Sequence, residues 1–406
     1  AFDALGGEAV AEIRDGVSID PKMGTASPHA KYDLELWPPG TRFPIRLDLA
    51  IAKEESSNDR EARLLALLTL ALEEFDSSAI RLGARGRRGM GRCRLESPRA
   101  RRFDLDSLEG WKAWLATWRE EPDPNAAMAS GRSIAEAIEQ AWPSGRDRFA
   151  AERERRRTTA TRELRIDIPL RFSGGVLIRA PGASEGGSGE VARSADVRHL
   201  RSGRAPILSG TSVAGALRQR ALRIARFVRA RQGDAEAWIE ELFGTSPRER
   251  GQERKDLRAS RLTVEEVPLS GATDLQVTRI KLDRFTQAPV AGGLIQEEPA
   301  YGAGVTLQLR LRLPDDRRQA DALCGLLLLG VKDLLLGDVP LGGATGIGRG
   351  SVCPAGPVSI DRDGVRGSFG GKEPPSDTAR AGMESWVRAF AQHHGSPIEP
   401  ARSGSK

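Results

Sequence analysis

A glycine-rich turn occurs twice in this chain, and the repetition constrains the fold more than any other feature. Residues 82–95 read LGARGRRGMGRCRL and residues 341–352 read LGGATGIGRGSV, with GMGR over GIGR. The match continues upstream. VSID…GTRFPIRLDL (17–49) pairs with IKLD…GVTLQLRLRL (280–313); Asp20 lies 20 positions before Gly40, and Asp283 lies 21 positions before Gly304. Self-similarity on this scale means one ancestral unit used twice. In both copies the glycines follow a helical pattern and precede a short strand. A dinucleotide-binding turn needs the opposite order, and a P-loop needs GK[ST] after its glycines, so neither signature is present.

The second copy reads as strand, loop, helix, strand, strand, helix, glycine turn and strand, a ferredoxin-like βαββαβ order. LRIDIPLRF from Leu164 alternates as a strand, 173–205 is a long polar loop, and 210–231 is a helix. Strands are expected at 260–267, 275–283 and 305–313, with an irregular excursion over 284–302, a helix over 317–336 and a strand from Ser351. In the first copy, 10–20 and 41–52 alternate as strands. Residues 59–75 place Leu64, Leu65, Leu68, Leu72 and Phe75 on one helical face, and 93–96 closes the unit as a strand. Nothing in the first copy corresponds to residues 164–267, which would leave a sheet edge unpaired. The missing part is expected upstream of Ala1 or on another chain.

The fold class expected is therefore α+β, with two ferredoxin-like (RRM-like) units, the first incomplete at its N-terminus. The 406 residues suit two to three domains. The expected division is 1–103 for the C-terminal part of the first unit, 104–160 for a helical charged linker, 161–357 for the second unit and 358–406 for a tail with one helix at 379–392. Trp111, Trp114 and Trp118 share helical spacing within the linker, and RDRFAAERERRR (146–157) reads as a solvated helix or a connector.

Composition narrows the function. The longest apolar cluster, 322–329, is too short to cross a bilayer, so no membrane is expected. Residues 1–12 lack the basic start and apolar stretch of a signal peptide. Cys93, Cys324 and Cys353 form no CxxC pair, and His29, His199, His393 and His394 are scattered, so neither a disulfide framework nor a zinc cage is expected. A reducing cytoplasm is the default. The net charge is +6, and 53 of the 62 basic residues are arginine. A GC-rich genome gives that bias; so does phosphate recognition, for which the guanidinium fork is suited.

Two features point to anion contact. APILSGTSVAGALR (205–218) delivers Ser209, Gly210, Thr211 and Ser212 into a helix start, where free N–H groups and the helix dipole favour phosphate. Arg218, Arg220 and Arg223 follow. On its own, such a segment is simply a good helix cap. The glycine turns bring backbone N–H groups close to a ligand through Gly89, Gly91, Gly346 and Gly348, with Arg92 and Arg349 at one offset in the letter match. A lone turn of this kind is a tight α-to-β connection.

Together, SGTSVAGALR and GIGRG resemble the RAMP superfamily of CRISPR systems, which carries a G-[ST]-S-x-x-G-x-[LM]-R loop-helix and a C-terminal glycine-rich loop. ASRLTVEEV (259–267), TRIKLDRFTQAPVAGGLIQEEPAYGAGV (278–305) and RDGVSIDPKMGTASPHAKYDLELWPPGTRF (14–43) look like the backbone (Cas-seven type) subunits of type III effectors. The resemblance covers most of 14–96 and 164–353. It implies guide-RNA binding in a cytoplasmic effector complex, beside target RNA and other RAMP and large-subunit proteins. It implies thumb β-hairpins at 21–34 and 284–302, placing Arg284 near RNA. It also implies a loop aspartate before the helix start that supports divalent-metal (Mg2+) cleavage of target RNA. Asp196 is the only aspartate in that loop, and a carboxylate there can hold the metal or orient a ribose hydroxyl. Ala214 stands where the family has lysine and Ser209 where it has proline. A non-catalytic scaffold role, and a metal-independent guide-processing ribonuclease, remain the alternatives.

Overall fold

The structure, a computed structural model, describes residues 11–20, 26–51, 58–77, 79–117, 129–157, 162–180, 195–230, 232–245, 257–362, 365–370 and 377–393. The chain opens with β1 (Glu12–Ile19) and β2 (Ala26–Leu36), then α1 (Asn58–Glu73), α2 (Leu108–Ala116), α3 (Ile134–Ala141) and α4 (Arg146–Arg157). Next come β3 (Glu163–Phe172), β4 (Ala205–Leu208), α5 (Gly210–Val228), α6 (Ala235–Phe243) and β5 (Leu262–Val264). β6 (Val277–Leu282), β7 (Pro289–Glu298), β8 (Gly304–Arg312) and α7 (Arg317–Leu335) follow. The chain closes with β9 (Val352–Pro354), β10 (Val358–Arg362), β11 (Val365–Phe369) and α8 (Asp377–Gln392).

Contacts group these elements into two compact units. The main unit holds 1–44, 87–89 and 161–406, and the helical unit holds 45–86 and 90–160.

The main unit is built on an antiparallel sheet in the order β5-β8-β3-β10-β11, with β9 also pairing β3. β8 runs along the whole of one edge of β3, from Gly304 opposite Arg171 to Arg312 opposite Glu163. The other edge is shared: β10 pairs with 164–167 and β9 with 170–172. Alternation decides which face is buried. Leu164, Ile166, Ile168, Leu170 and Phe172 of β3, and Val305, Leu307, Leu309 and Leu311 of β8, join one core with α5, α6 and α7. Arg165 and Arg171 lie exposed on the opposite face. The sequence shows this α+β content, with helices and strands intermixed along the chain.

Helix α7 is buried nearly all round because α8 covers its outer side; a Cβ on Gly325 would overlap the Trp386 backbone. The anchor of α8 is Arg229, fully buried at the end of α5. Its guanidinium donates to both carboxylate oxygens of Asp234 (2.8 and 2.6 Å) and to the carbonyls of Phe390 (2.8 Å) and His393 (3.0 Å).

In the helical unit the core is Ala62, Ala66, Ala135, Ile138, Trp142 and Phe149. Of the expected leucine face of α1, Leu65 packs against this core, but these leucines are only half-buried and not the fully buried positions. Ala62, Ala66 and Thr69 are, because small side chains let α1 and α4 approach closely. The arginine-rich 146–157 is a packed helix: Phe149 is fully buried and Arg153 bonds Glu73 at 2.6 Å.

Other expectations need correction. Residues 41–51 form no strand. Phe43, Ile45, Leu47 and Leu49 are exposed, since no strand among the described residues offers them a ladder partner. Residues 93–96 likewise form no strand; only Arg92 makes a bridge, to Arg81. The excursion at 284–302 contains β7, which pairs with β6 on either side of a register shift between Ile280 and Leu282, and Gly292 and Gly293 lie within that shift. Residues 358–369 form two strands that extend the sheet. Trp118, residues 21–25 of the first expected thumb, 181–194 of the long loop and 394–406 of the tail lie outside the described residues.

Arg229→Ala is expected to cost about 3–5 kcal/mol in urea denaturation, because it empties a fully buried site and leaves the half-buried Asp234 carboxylate and two carbonyls without their donor. Arg229→Lys should recover only part, since one ammonium cannot reproduce the fork. Full stability in the alanine variant would contradict the anchoring role.

Candidate nucleic-acid interface

The two glycine turns share one backbone. Left-handed residues fall at Gly83, Arg85, Gly89 and Gly91, and again at Gly342, Ala344, Gly348 and Gly350, a constant offset of 259 positions. A short 3-10 turn sits at the same place in each, Gly86–Arg88 and Thr345–Ile347. Each is closed by one hydrogen bond of 2.9 Å, from Leu82 N–H to the Gly91 carbonyl and from Leu341 N–H to the Gly350 carbonyl. Gly91 and Gly350 press on those leucine carbonyls where a Cβ would overlap, and both have positive φ, so glycine is required on two counts.

This geometry corrects the letter match. GMGR over GIGR is two positions out of register. Structurally, Arg349 lies over Met90 and Arg92 over Ser351, while Gly346 and Ile347 lie over Arg87 and Arg88. Arg92 is exposed; Arg349 is buried and ion-paired with Glu297 at 2.7 Å. Glu297 also receives Arg279 at 3.2 Å. The Arg349 side chain therefore ties the second turn to β7 and is not presented to solvent.

The hairpins repeat as well. β1 and β2 pair antiparallel with a register shift between Val17 and Ile19, and β6 and β7 pair with a shift between Ile280 and Leu282. Ile19 opposes Ala26, as Leu282 opposes Pro289. At the tip of the second hairpin Asp283 accepts hydrogen bonds from the N–H groups of Phe285 (3.0 Å) and Thr286 (2.8 Å) and from the Thr286 hydroxyl. These donors hold its carboxyl below the usual range. The turn so fixed presents Arg284 and Phe285; Phe285 is 90% exposed. Sequence reasoning named Arg284 and missed Phe285. The signal was available as an aromatic next to an arginine at a hairpin tip.

At the α5 start, Ser209 caps the helix. Its hydroxyl accepts from Ser212 N–H at 3.3 Å and shares hydrogen bonds with the Thr211 and Ser212 hydroxyls. Ser209 and Gly210 are buried, whereas Thr211 and Ser212 are half-buried. Gly210 faces the backbone of Arg88 and Val264, so the structure brings Gly89 and the α5 start together. Arg218 donates to the Gly244 carbonyl at 2.8 Å, and Arg220 bonds Asp333 at 2.6 Å and Asp338 at 3.1 Å, so both brace neighbouring elements. Arg223 is exposed.

Asp196 is exposed at the root of β7, where its carboxylate accepts the Gln296 N–H at 2.8 Å. No group of three His, Cys, Asp or Glu residues positioned for a metal occurs among the described residues. Among the described residues the donors there amount to one carboxylate, which does not make a cation site without oxygens from a bound ligand. His199, nearby, is buried, with Nδ1 accepting from Ile178 N–H (3.2 Å) and Nε2 paired with the Ile207 carbonyl (3.0 Å). Both nitrogens are engaged by backbone, which leaves no acid/base role for this ring.

With this geometry in view, the sequence comparison gives the class: the model of the RAMP superfamily matches residues 5–94 and 169–353, more than half of the chain, in two regions, and the chain belongs to that superfamily. No curated protein matches the sequence. No helix among the described residues is long and apolar enough to cross a membrane.

Burial keeps the His199 imidazole below its ordinary value, against the opposing pull of the Ile207 carbonyl. The native state then binds this proton less readily than the unfolded chain. Its contribution is complete above the unfolded value of about 6.5 and is lost as pH falls below that. The melting temperature of the wild type should drop more between pH 7 and pH 5.5 than that of His199→Asn. Parallel pH profiles would show that this ring does not carry the acid sensitivity.

Proposed function

We propose that this chain is a guide-RNA-binding backbone subunit of a type III CRISPR effector. The observation that carries the reading is the doubled hairpin-plus-turn unit, with matching bulges and matching left-handed residues, in a chain of the RAMP superfamily. The sheet order β5-β8-β3-β9 is read as ferredoxin-like, and β1–β2 and β6–β7 are read as thumbs that enter the RNA path at two repeated steps. The tip residues Arg284 and Phe285 would grip phosphate and stack on a base. Thr211 and Ser212 at the α5 start, with Arg223, would supply further polar contact in the main unit, and Arg92 would supply its own in the helical unit. Base pairing between guide and target would read sequence, and the protein would follow the backbone.

Arg284→Ala together with Phe285→Ala is expected to weaken RNA binding roughly tenfold, in line with about 1–3 kcal/mol per stacked base. The salt dependence should lose about one unit of slope for the missing cation. A filter-binding titration across salt concentrations reads both, and unchanged curves would remove the hairpin tip from the interface.

Cutting of target RNA is the finer part of the proposal. A bound Mg2+ would supply charge stabilisation at the scissile phosphate. Asp196 would hold it only jointly with RNA oxygens. In the assembled complex with Mg2+, Asp196→Ala should abolish one cleavage product while guide RNA is retained. Identical fragments from wild type and variant would leave the chain as a binding scaffold.

A further inference from the structure

The two turns have one backbone and different surroundings. Arg87–Gly89 are seated on the start of α5 and along β5. The Arg88 carbonyl stands against Gly210, and Gly89 stands against the backbone of Glu265 and Glu266; a Cβ at either glycine would overlap those atoms. Arg87 donates to the Thr263 hydroxyl at 3.1 Å. Arg88 donates to the Ser260 hydroxyl (3.4 Å) and to the carbonyls of Leu262 (3.3 Å) and Phe243 (3.3 Å). A helix start with glycine first, a strand edge and a set of oxygen acceptors thus form a seat for the first turn.

The second turn has no seat among the described residues. Thr345–Gly348 are exposed, Ile347 by 51%. Nothing described comes within 4 Å of a Cβ placed on Gly346 or Gly348. The segment PLGGATGIG (340–348) carries no charge, and the adjacent Arg349 is consumed by Glu297. An uncharged turn ending in an exposed isoleucine suits a protein surface better than a phosphate.

We propose that Thr345–Gly348 plugs the corresponding seat, a glycine-led helix start and its neighbouring strand, on a RAMP unit of a different polypeptide. A second copy of this chain is a poor partner for two reasons. Its seat is already filled by its own Arg87–Gly89. That seat is also lined by oxygens matched to two arginines, whereas the second turn brings Gly346 and Ile347 to those positions and would leave the acceptors without donors. The partner's seat is apolar where this one is polar. A chain with one filled seat and one free plug does not extend itself head to tail; it joins a different neighbour in a fixed order. The partner class rests on the effector-subunit reading above, and the inference assigns Gly346 and Gly348 to protein contact in place of RNA contact.

The test uses the complex isolated from the cells that make it, with a benzophenone amino acid in place of Ile347 in the full chain. Irradiation should join it to a peptide at the helix start of another RAMP chain, identified by mass spectrometry. Ile347→Asp, at an exposed position, should reduce retention of that subunit at least tenfold while guide RNA stays bound. A crosslink to RNA, a crosslink to 208–212 or 259–266 of a second copy, no crosslink at all, or unchanged retention in the aspartate variant would each overturn the proposal. A complex that holds the predicted crosslink but carries no RNA would instead defeat the guide-RNA reading and leave the plug standing.

Discussion

Strand β3 is paired on both edges at once, and the main unit depends on that. Its pleat sends Leu164, Ile166, Ile168, Leu170 and Phe172 into the core, each at most 2% exposed. A slip of one residue would exchange them for Arg165, Asp167 and Arg171, which fixes the register against β8, β9 and β10 together. The C-terminal end of β3 in turn locates the second glycine turn. Gly350 N–H donates to the Gly175 carbonyl and Gly343 N–H to the Leu177 carbonyl, in the chain just beyond β3. The turn is therefore held by the sheet through its backbone, and Arg349 adds a side-chain tie to β7.

Because the backbone alone fixes the path of each turn, the side chains at its crest are free to differ. The left-handed positions admit little besides glycine, and the two copies keep them, apart from Arg85 and Ala344. At the crest, Arg87 and Arg88 face an internal surface, while Gly346 and Ile347 face outward. Duplication of one unit has given two loops of the same shape with separate tasks. Shape is set by glycine placement and task by the two residues between.

The duplication was legible in the letters, as were β3, β8, α5, α7 and α8, whose apolar periods are long and regular. What escaped was whatever depended on a neighbour. The segment 41–51 alternates as well as β8 does, yet a strand needs a partner along its edge, and none lies among the described residues. The leucines of α1 looked like the buried face, but alanines allow the closer helix contact. β7 was hidden by Gly292 and Gly293, since pairing with β6 outweighs weak intrinsic preference. At the site, Ser209–Ser212 were recognisable as a helix cap from their order alone. That Arg88 would press on Gly210 was not, because the two are brought together only by the fold. The two-residue error in aligning the turns has a similar origin: GMGR and GIGR match as letters, whereas the φ pattern follows the closing bond from Leu82 to Gly91 and from Leu341 to Gly350.

Arginine abundance is a poor measure of how strongly such a chain attracts RNA. Arg87 is spent on a hydroxyl, and Arg88, Arg218, Arg220, Arg229, Arg279 and Arg349 on carboxylates and carbonyls, of the chain itself. A guanidinium paired with a carboxylate adds no net charge to the field an approaching strand meets. The long-range attraction follows the balance of 62 basic against 56 acidic residues, a modest +6. Close contact then falls to exposed cations that have no ion pair among the described residues, such as Arg92, Arg223 and Arg284. Arginine suits the internal role for the same reason it suits phosphate: its planar fork satisfies several oxygens at once. The same chemistry therefore builds the scaffold and, at a few exposed positions, is left over to bind.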